Sequence, residues 1–198
     1  MIDLDENALL ERFARLSVMN SSQDGQSPRE GEQQGARRAA VLAPLVWENG
    51  GWSLLYIRRS DRLADHQGQV AFPGGLVEAS DSSLEMTALR EAWEELGIAP
   101  KDVRLVGQLQ QLMTGTGFSI LPVVGIIPWP YPLKLSLDEV ARAFTIPLSW
   151  LADPDHREER WYDRDGRRFK VIYYESYQGE ILWGATARMT VALLKIIL

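Results

Sequence analysis

Hydrophobic positions change their period several times along the chain, and each change predicts an element. Leu9, Phe13 and Leu16 recur at i, i+4 and i+7 within residues 3–17, the spacing of a short amphipathic helix. Residues 20–36, NSSQDGQSPREGEQQGA, then lose almost every apolar position and carry glycine, the composition of a flexible linker. From residue 38 the pattern is that of a folded core. AAVLAPLVW (39–47) is an apolar run of strand length, ENGG (48–51) is a hairpin turn signal, and WSLLYIRR (52–59) is the return strand. A polar loop follows and ends on the glycine pair of FPGG (72–75). Residues 83–96 return to helical spacing, and VRLVGQLQQ (103–111) and FSILPVVGIIP (118–128) read as two further strands. Residues 136–153 mix a loop, a short strand and a helical turn. FKVIYYESY (169–177) and EILWG (180–184) are strands, and ATARMTVALLKII (185–197) is a closing helix. Strands interleaved with helices predict an α/β layered fold, and the hairpins require antiparallel pairs, so the sheet should be mixed. The expected organisation is an N-terminal helix and linker at 1–37, acting as a docking arm, and one domain at 38–198.

The helix at 83–96 carries an unusual charge pattern. Ser82 and Glu85 form an S-x-x-E capping box that places its start at Ser83, and Gly97 is the expected stop. Leu89, Ala92, Trp93 and Leu96, at 0, +3, +4 and +7, define a buried stripe. At about 100° per residue, Glu91 and Glu95 point to nearly the opposite side, while Arg90 and Glu94 share a flank where they can pair. Glu91 and Glu95 have no basic side chain at i±3 or i±4, and like charges at that spacing cost a helix roughly 0.2–0.5 kcal/mol. Either this is a solvated acidic face, or a divalent cation shared by the two carboxylates turns repulsion into coordination. The upstream glycines bear on the choice, because a Gly pair lets the backbone approach a ligand closely and offer a carbonyl as a further hard oxygen. Of the tryptophans, Trp47, Trp52 and Trp93 fit the core, and Trp129 and Trp161 fall in loops.

Composition narrows the chemistry. The chain has 198 residues, with 21 Lys+Arg against 27 Asp+Glu and a net charge of -6. Nucleic-acid binding runs on clustered bases, so it is not expected. A small anionic substrate is compatible if metal ions or a few local bases supply positive charge. The absence of cysteine excludes disulfides, zinc–thiolate sites and Cys nucleophiles. With His66 and His156 the only histidines, a metal site must be built from oxygen, which favours Mg²⁺ or Mn²⁺. The acidic N-terminus lacks a signal-peptide pattern and no apolar run is long enough to span a bilayer, so a cytoplasmic protein without a membrane partner is expected.

Residues 74–98, GGLVEASDSSLEMTALREAWEELGI, resemble the Nudix box, G-x5-E-x7-R-E-U-x-E-E-x-G-U with U apolar, at Gly75, Arg90, Glu91, Glu94, Glu95, Gly97 and Ile98. Asp81 stands where the first Glu is expected, eight residues rather than seven separate it from Arg90, and Ala92 is a small U. An Asp with a one-residue insertion is similar to the coenzyme A diphosphatase branch of the Nudix hydrolases. That branch carries L-L-T-x-R-S-x3-R-x3-G-x3-F-P-G-G before the box. Residues 55–75 match it at Leu55, Arg59, Ser60, Gly68, Phe72, Pro73, Gly74 and Gly75, and depart at Tyr56, Ile57 and Ala64. LPVVGIIP, DEVARAFTIPL and WGATA further along also look like this branch.

The resemblance implies a Nudix-type α/β/α sandwich with a mixed sheet, the Glu-rich catalytic helix following a Gly loop. It implies metal-dependent hydrolysis of a nucleoside diphosphate linked to another moiety, with coenzyme A or its derivatives first and ADP-ribose, NADH or another nucleotide as the alternative. Glu91, Glu95 and the Gly75 carbonyl are the implied ligands of Mg²⁺ or Mn²⁺, and Glu94 belongs to the same catalytic set. Arg90 is an orienting group. Glu139 is the leading candidate for a further carboxylate from a later loop, ahead of Asp138, with Glu175 and Glu180 behind. Arg59, His66 and Gly74 are the candidate substrate contacts, with Arg62 beside them. His66 reads equally as a buried structural histidine. A Nudix-fold binding module without turnover is the reading from a different class. The apolar run VALLKIIL and the N-terminal helix are candidate contacts for a homodimer.

Overall fold

The computed structural model describes residues 5–21, 35–164 and 166–198. The linker expected at 20–36 therefore falls largely outside the described residues, as does the side chain of Leu16. Helix α1 (Glu6–Ser21) is followed by the long hairpin of β1 (Arg37–Glu48) and β2 (Gly51–Arg59). Glu48 pairs with Gly51, and Asn49 and Gly50 both have positive φ (49° and 76°), the two-residue turn whose twist suits paired strands. Short strands β3 (Val70–Ala71) and β4 (Gly74–Leu76) lead to helix α2 (Leu84–Leu96). Then come β5 (Arg104–Gln108), β6 (Leu112–Met113), β7 (Phe118–Ile126), β8 (Val140–Pro147) and the short helix α3 (Leu148–Ala152). A three-stranded sheet of β9 (Arg157–Arg164), β10 (Arg167–Tyr177) and β11 (Glu180–Trp183) precedes helix α4 (Gly184–Ile197).

The main sheet has the order β3-β2-β1-β7-β5, with β4 and β6 on β1 and β7 and with β8 on β2. Strands β1 and β7 run parallel and the other pairs antiparallel, so the sheet is mixed as expected. Strand β1 is apolar without alternation because both of its faces are covered. Val41, Ala43 and Leu45 join Leu9 and Phe13 of α1 and Leu193 and Ile197 of α4 in one core. Ala40, Leu42 and Val46 join Ala88, Ala92 and Leu96 of α2 in the other. Tyr56, wholly buried, stacks on Phe72 at 4.8 Å, and its hydroxyl lies 2.9 Å from Thr190 Oγ1 on α4. The interior polar group is thereby satisfied, and the residue that opens FPGG is fixed from beneath. Among the described residues, no helix is long and apolar enough to cross a membrane.

Several local expectations need correction. The N-cap of α2 is Ser83, whose Oγ accepts from the Met86 N–H at 3.3 Å, so the capping box on Ser82 and Glu85 does not form. Glu85 instead accepts from the Gln108 side chain. The stop is as expected: Gly97 has φ 71°, and the N–H groups of Gly97 and Ile98 return to the carbonyls of Trp93 and Ala92. Trp93 is 53% exposed rather than core. The buried arc centres on Ala88, Ala92 and Glu95, at i, i+4 and i+7, and Trp93 lies off its edge. Trp47 is also exposed, packed edge-on against the buried Trp52. Trp161 sits in a strand, β9, not in a loop.

Candidate active site

The glycine pair is a short strand, and its neighbours leave no room for side chains. Gly75 lies opposite Ala40 and Gly74 opposite Val41 on β1. A methyl group on Gly74 would stand 2.4 Å from the Ala40 carbonyl oxygen, and one on Gly75 would stand 2.4 Å from Glu91 Oε1. The Glu91 carboxylate is thus laid directly on the Gly75 backbone. The Gly74 N–H donates to Glu95 Oε2 at 3.0 Å. The Glu91–Glu95 face is therefore turned toward the glycine strand. A solvated acidic face is excluded for Glu95, which is only 2% exposed.

Arg90 holds this arrangement from the side. Its Nε and Nη2 donate to Asp81 Oδ1 and Oδ2 at 3.0 and 3.1 Å, and Nη2 also donates to the Leu76 carbonyl at 2.9 Å. Nη1 donates to Glu94 Oε2 at 2.9 Å and lies 3.1 Å from Glu91 Oε1. One planar fork joins the loop after Gly75 to the helix. Hydrogen bonding from Arg90 holds the Asp81 carboxyl down at about 2, and Asp81 raises the guanidinium pKa further in return. Asp81 also accepts from the Thr87 hydroxyl at 2.8 Å and the Glu78 N–H at 2.9 Å. The shorter acid and the extra residue still meet the arginine. This anchoring role went unassigned in the sequence, where the only signal was an acid at the motif's first Glu position.

The electrostatics invert on the other side of α2. Burial pushes the Glu91 carboxyl up, more than Arg90 pulls it down. Burial also pushes the Glu95 carboxyl up to about 8. The negative charges of Glu91 and Glu139 add to that, and the Gly74 N–H and Arg59 oppose it. Arg59 Nη1 is 3.9 Å from Glu95 Oε1, and the buried Arg59 Nε has no hydrogen-bond partner. Two desolvated carboxylates with too little positive charge, laid on a glycine backbone, fit a hard divalent cation. Among the described residues, no three acidic or imidazole side chains enclose such an ion by themselves. A divalent cation held by these two carboxylates would take its other oxygens from backbone, water or substrate phosphate.

The remaining expected residues divide clearly. Glu139 lies on an exposed turn close enough for its charge to act on both Glu91 and Glu95. That turn is tied to the helix by the Ser136 N–H on the Glu95 carbonyl (3.0 Å) and to the residue just after β2 by the Ser60 N–H on the Glu139 carbonyl (2.8 Å). Asp138, with 89% of its side chain exposed, pairs with Arg62 at 3.1 Å instead. Glu175 lines a separate cavity of about 430 Å³ with His156, Arg157 and Arg160. Glu180 is held between Arg58 and Arg142. His66 is exposed, with φ 58° and its Nδ1 2.9 Å from Gln69 Oε1, so it is not a buried structural histidine.

A mixed sheet between helices, with a Gly strand presenting paired glutamates on the following helix, defines a class of phosphoanhydride hydrolase. Residues 36–165 match the NUDIX domain family model, and the chain belongs to the Nudix hydrolases. It is a Nudix diphosphatase, in a family whose enzymes generally use divalent metal ions. The protein described as the uncharacterized Nudix hydrolase NudL of Citrobacter koseri is 44% identical over 159 residues, 79% of this chain and 81% of that one. Its counterpart in Yersinia enterocolitica is 41% identical over 166 residues, 82% and 83% of the two chains. Among solved structures, a MutT/nudix family protein from Enterococcus faecalis aligns with a TM-score of 0.54 at 14% identity, over 96% of this chain and 73% of that one. That likeness concerns the fold.

Proposed function

We propose that this enzyme hydrolyses the diphosphate of coenzyme A or its derivatives, releasing 3',5'-adenosine bisphosphate and (acyl-)phosphopantetheine. The observation that carries the catalytic reading is the buried Glu95 beside Glu91, both set against Gly74–Gly75. Mg²⁺ or Mn²⁺, held by these two carboxylates and the Gly75 carbonyl, would neutralise the doubly anionic diphosphate and lower the pKa of the attacking water. Glu139 would take the proton from that water, a role supported by the action of its charge on the same pair. Arg90 holds Glu91 and Glu94 in register, and Arg59 supplies a cation beside Glu95 for substrate phosphate.

The substrate assignment is supported by residues 55–75, and burial bears on the departures there. Tyr56 and Ile57 are wholly buried in opposite cores and cannot touch a substrate. Only Ala64, on the exposed loop, removes a side chain that a ligand could meet. That exposed Ala64 favours one second reading, in which ADP-ribose or NADH is the preferred diphosphate. The test is product analysis of coenzyme A, ADP-ribose and NADH, each with Mg²⁺ or Mn²⁺ and with chelator. Metal-dependent cleavage favouring coenzyme A is expected. Preference for ADP-ribose or NADH would overturn the substrate while leaving the site, and no turnover of any would overturn all three substrates and leave another nucleotide substrate or a binding module.

A further inference from the structure

One carboxylate joins three segments, distant in the chain, beside the candidate site. Arg58 on β2 and Arg142 on β8 are directly opposite each other, and like charges facing across a sheet destabilise it. Glu180, at the start of β11, stands between them. Its Oε2 lies 3.7 Å from Arg58 Nε and its Oε1 lies 3.5 Å from Arg142 Nη1. The Glu180 side chain is only 13% exposed, so these contacts are partly shielded from water and salt. Each arginine is also anchored beyond the pair. Arg58 Nη2 donates to Asp61 Oδ1 at 2.9 Å, and this ion pair packs over Gly68, closing the loop between β2 and β3. Arg142 Nη2 donates to Gln178 Oε1 at 2.9 Å, in the β10–β11 turn.

The sheet register breaks immediately beside this cluster. Arg58 faces Arg142, but Arg59 faces Val140, which leaves Ala141 as an extra residue on β8. A bulge of this kind re-aims the side chains next to it. Here Arg59 is brought to 3.9 Å from Glu95, and Val140 directly follows Glu139, whose carbonyl receives the Ser60 N–H.

We propose that Glu180 is a positioning residue, which holds Arg58 and Arg142 together at the bulge and so sets Arg59 against Glu95 and the Glu139 turn against β2. The second sheet then fixes the geometry of the site without touching substrate. This rests on the catalytic reading of Glu95 and Glu139. The test compares Glu180→Gln, Glu180→Asp, Arg142→Gln and the Glu180→Gln/Arg142→Gln double variant. Glu159→Gln, an exposed partner of Lys170 on the same second sheet, is the control. Steady-state kcat and KM are measured alongside amide hydrogen exchange in segments 58–63 and 138–144.

Glu180→Gln is expected to lower kcat about tenfold with a much smaller change in KM. Exchange should quicken in both segments, Glu180→Asp should recover part of kcat, and the control should match wild type. The double variant should be no worse than the poorer single one, since both remove the same link. Wild-type kcat in Glu180→Gln, losses that multiply in the double variant, or unchanged exchange would each overturn the proposal. Turnover by the wild-type enzyme tests the catalytic reading separately, because the exchange measurement needs no substrate.

Discussion

Glycine at position 75 and glutamate at position 95 are each matched to the other side chains around the site. Because Glu91 occupies the space where a Gly75 side chain would be, Gly75→Ala must push that carboxylate away. It is expected to cost about 1–3 kcal/mol of stability by overpacking and to lower kcat at least about tenfold, read by thermal unfolding and steady-state kinetics. Glu95 has the opposite character: burial makes its charge costly, a cost that the proposed cation would offset. The unfolded state ionises this carboxyl near 4.5 and the folded state near 8, so the metal-free protein loses stability as pH rises between those values. At pH 8 in chelator, Glu95→Gln should therefore be more stable than wild type by about 1–3 kcal/mol, measured by denaturant unfolding.

At the scale of the element, α2 and the loop before it act as one unit through Asp81 and Arg90. The Asp81 pKa falls from 3.8 to about 2 on folding, so its stabilisation is fully present above 3.8 and is lost as pH drops through 2. Asp81→Asn should cost about 2 kcal/mol at pH 7 and flatten the acid limb of the stability profile between pH 4 and 2, which unfolding at a series of pH values will show. Part of this unit was legible in sequence: the helix, its Gly97 stop and the Arg90–Glu94 pair. The expectation that Glu91 and Glu95 both lie opposite the buried stripe fails at Glu95, which joins the buried arc beside Ala88 and Ala92. What was not legible depended on partners far along the chain. The Ser82 cap was displaced to Ser83. The burial of Glu95 follows from the packing of β4 on β1, and the grip on Asp81 follows from the fold of the loop between β4 and α2. Strand β9, REERWYDR, was missed because its charged residues carry no period-two apolar pattern and its pairing with β10 supplies the structure.

At the scale of the molecule, two cores on opposite faces of one sheet hold the site, and α1 contributes to only one of them. Phe13 is nearly buried in the core that also holds Tyr56 and Phe72, and it packs over Gly107. Phe13→Ala should cost about 3–5 kcal/mol in thermal or denaturant unfolding, while the folded fraction keeps wild-type kcat, since the α2 face lies in the other core. The measurement that tests the whole account most directly is metal-dependent kcat/KM of wild type and Glu95→Gln. It uses whichever of coenzyme A, ADP-ribose and NADH the wild-type enzyme cleaves fastest, across a Mn²⁺ titration. Loss of the buried carboxylate is expected to lower kcat/KM by at least about 100-fold and to shift the half-saturating Mn²⁺ concentration upward. Undiminished metal-dependent turnover in Glu95→Gln would place the chemistry elsewhere and contradict the account.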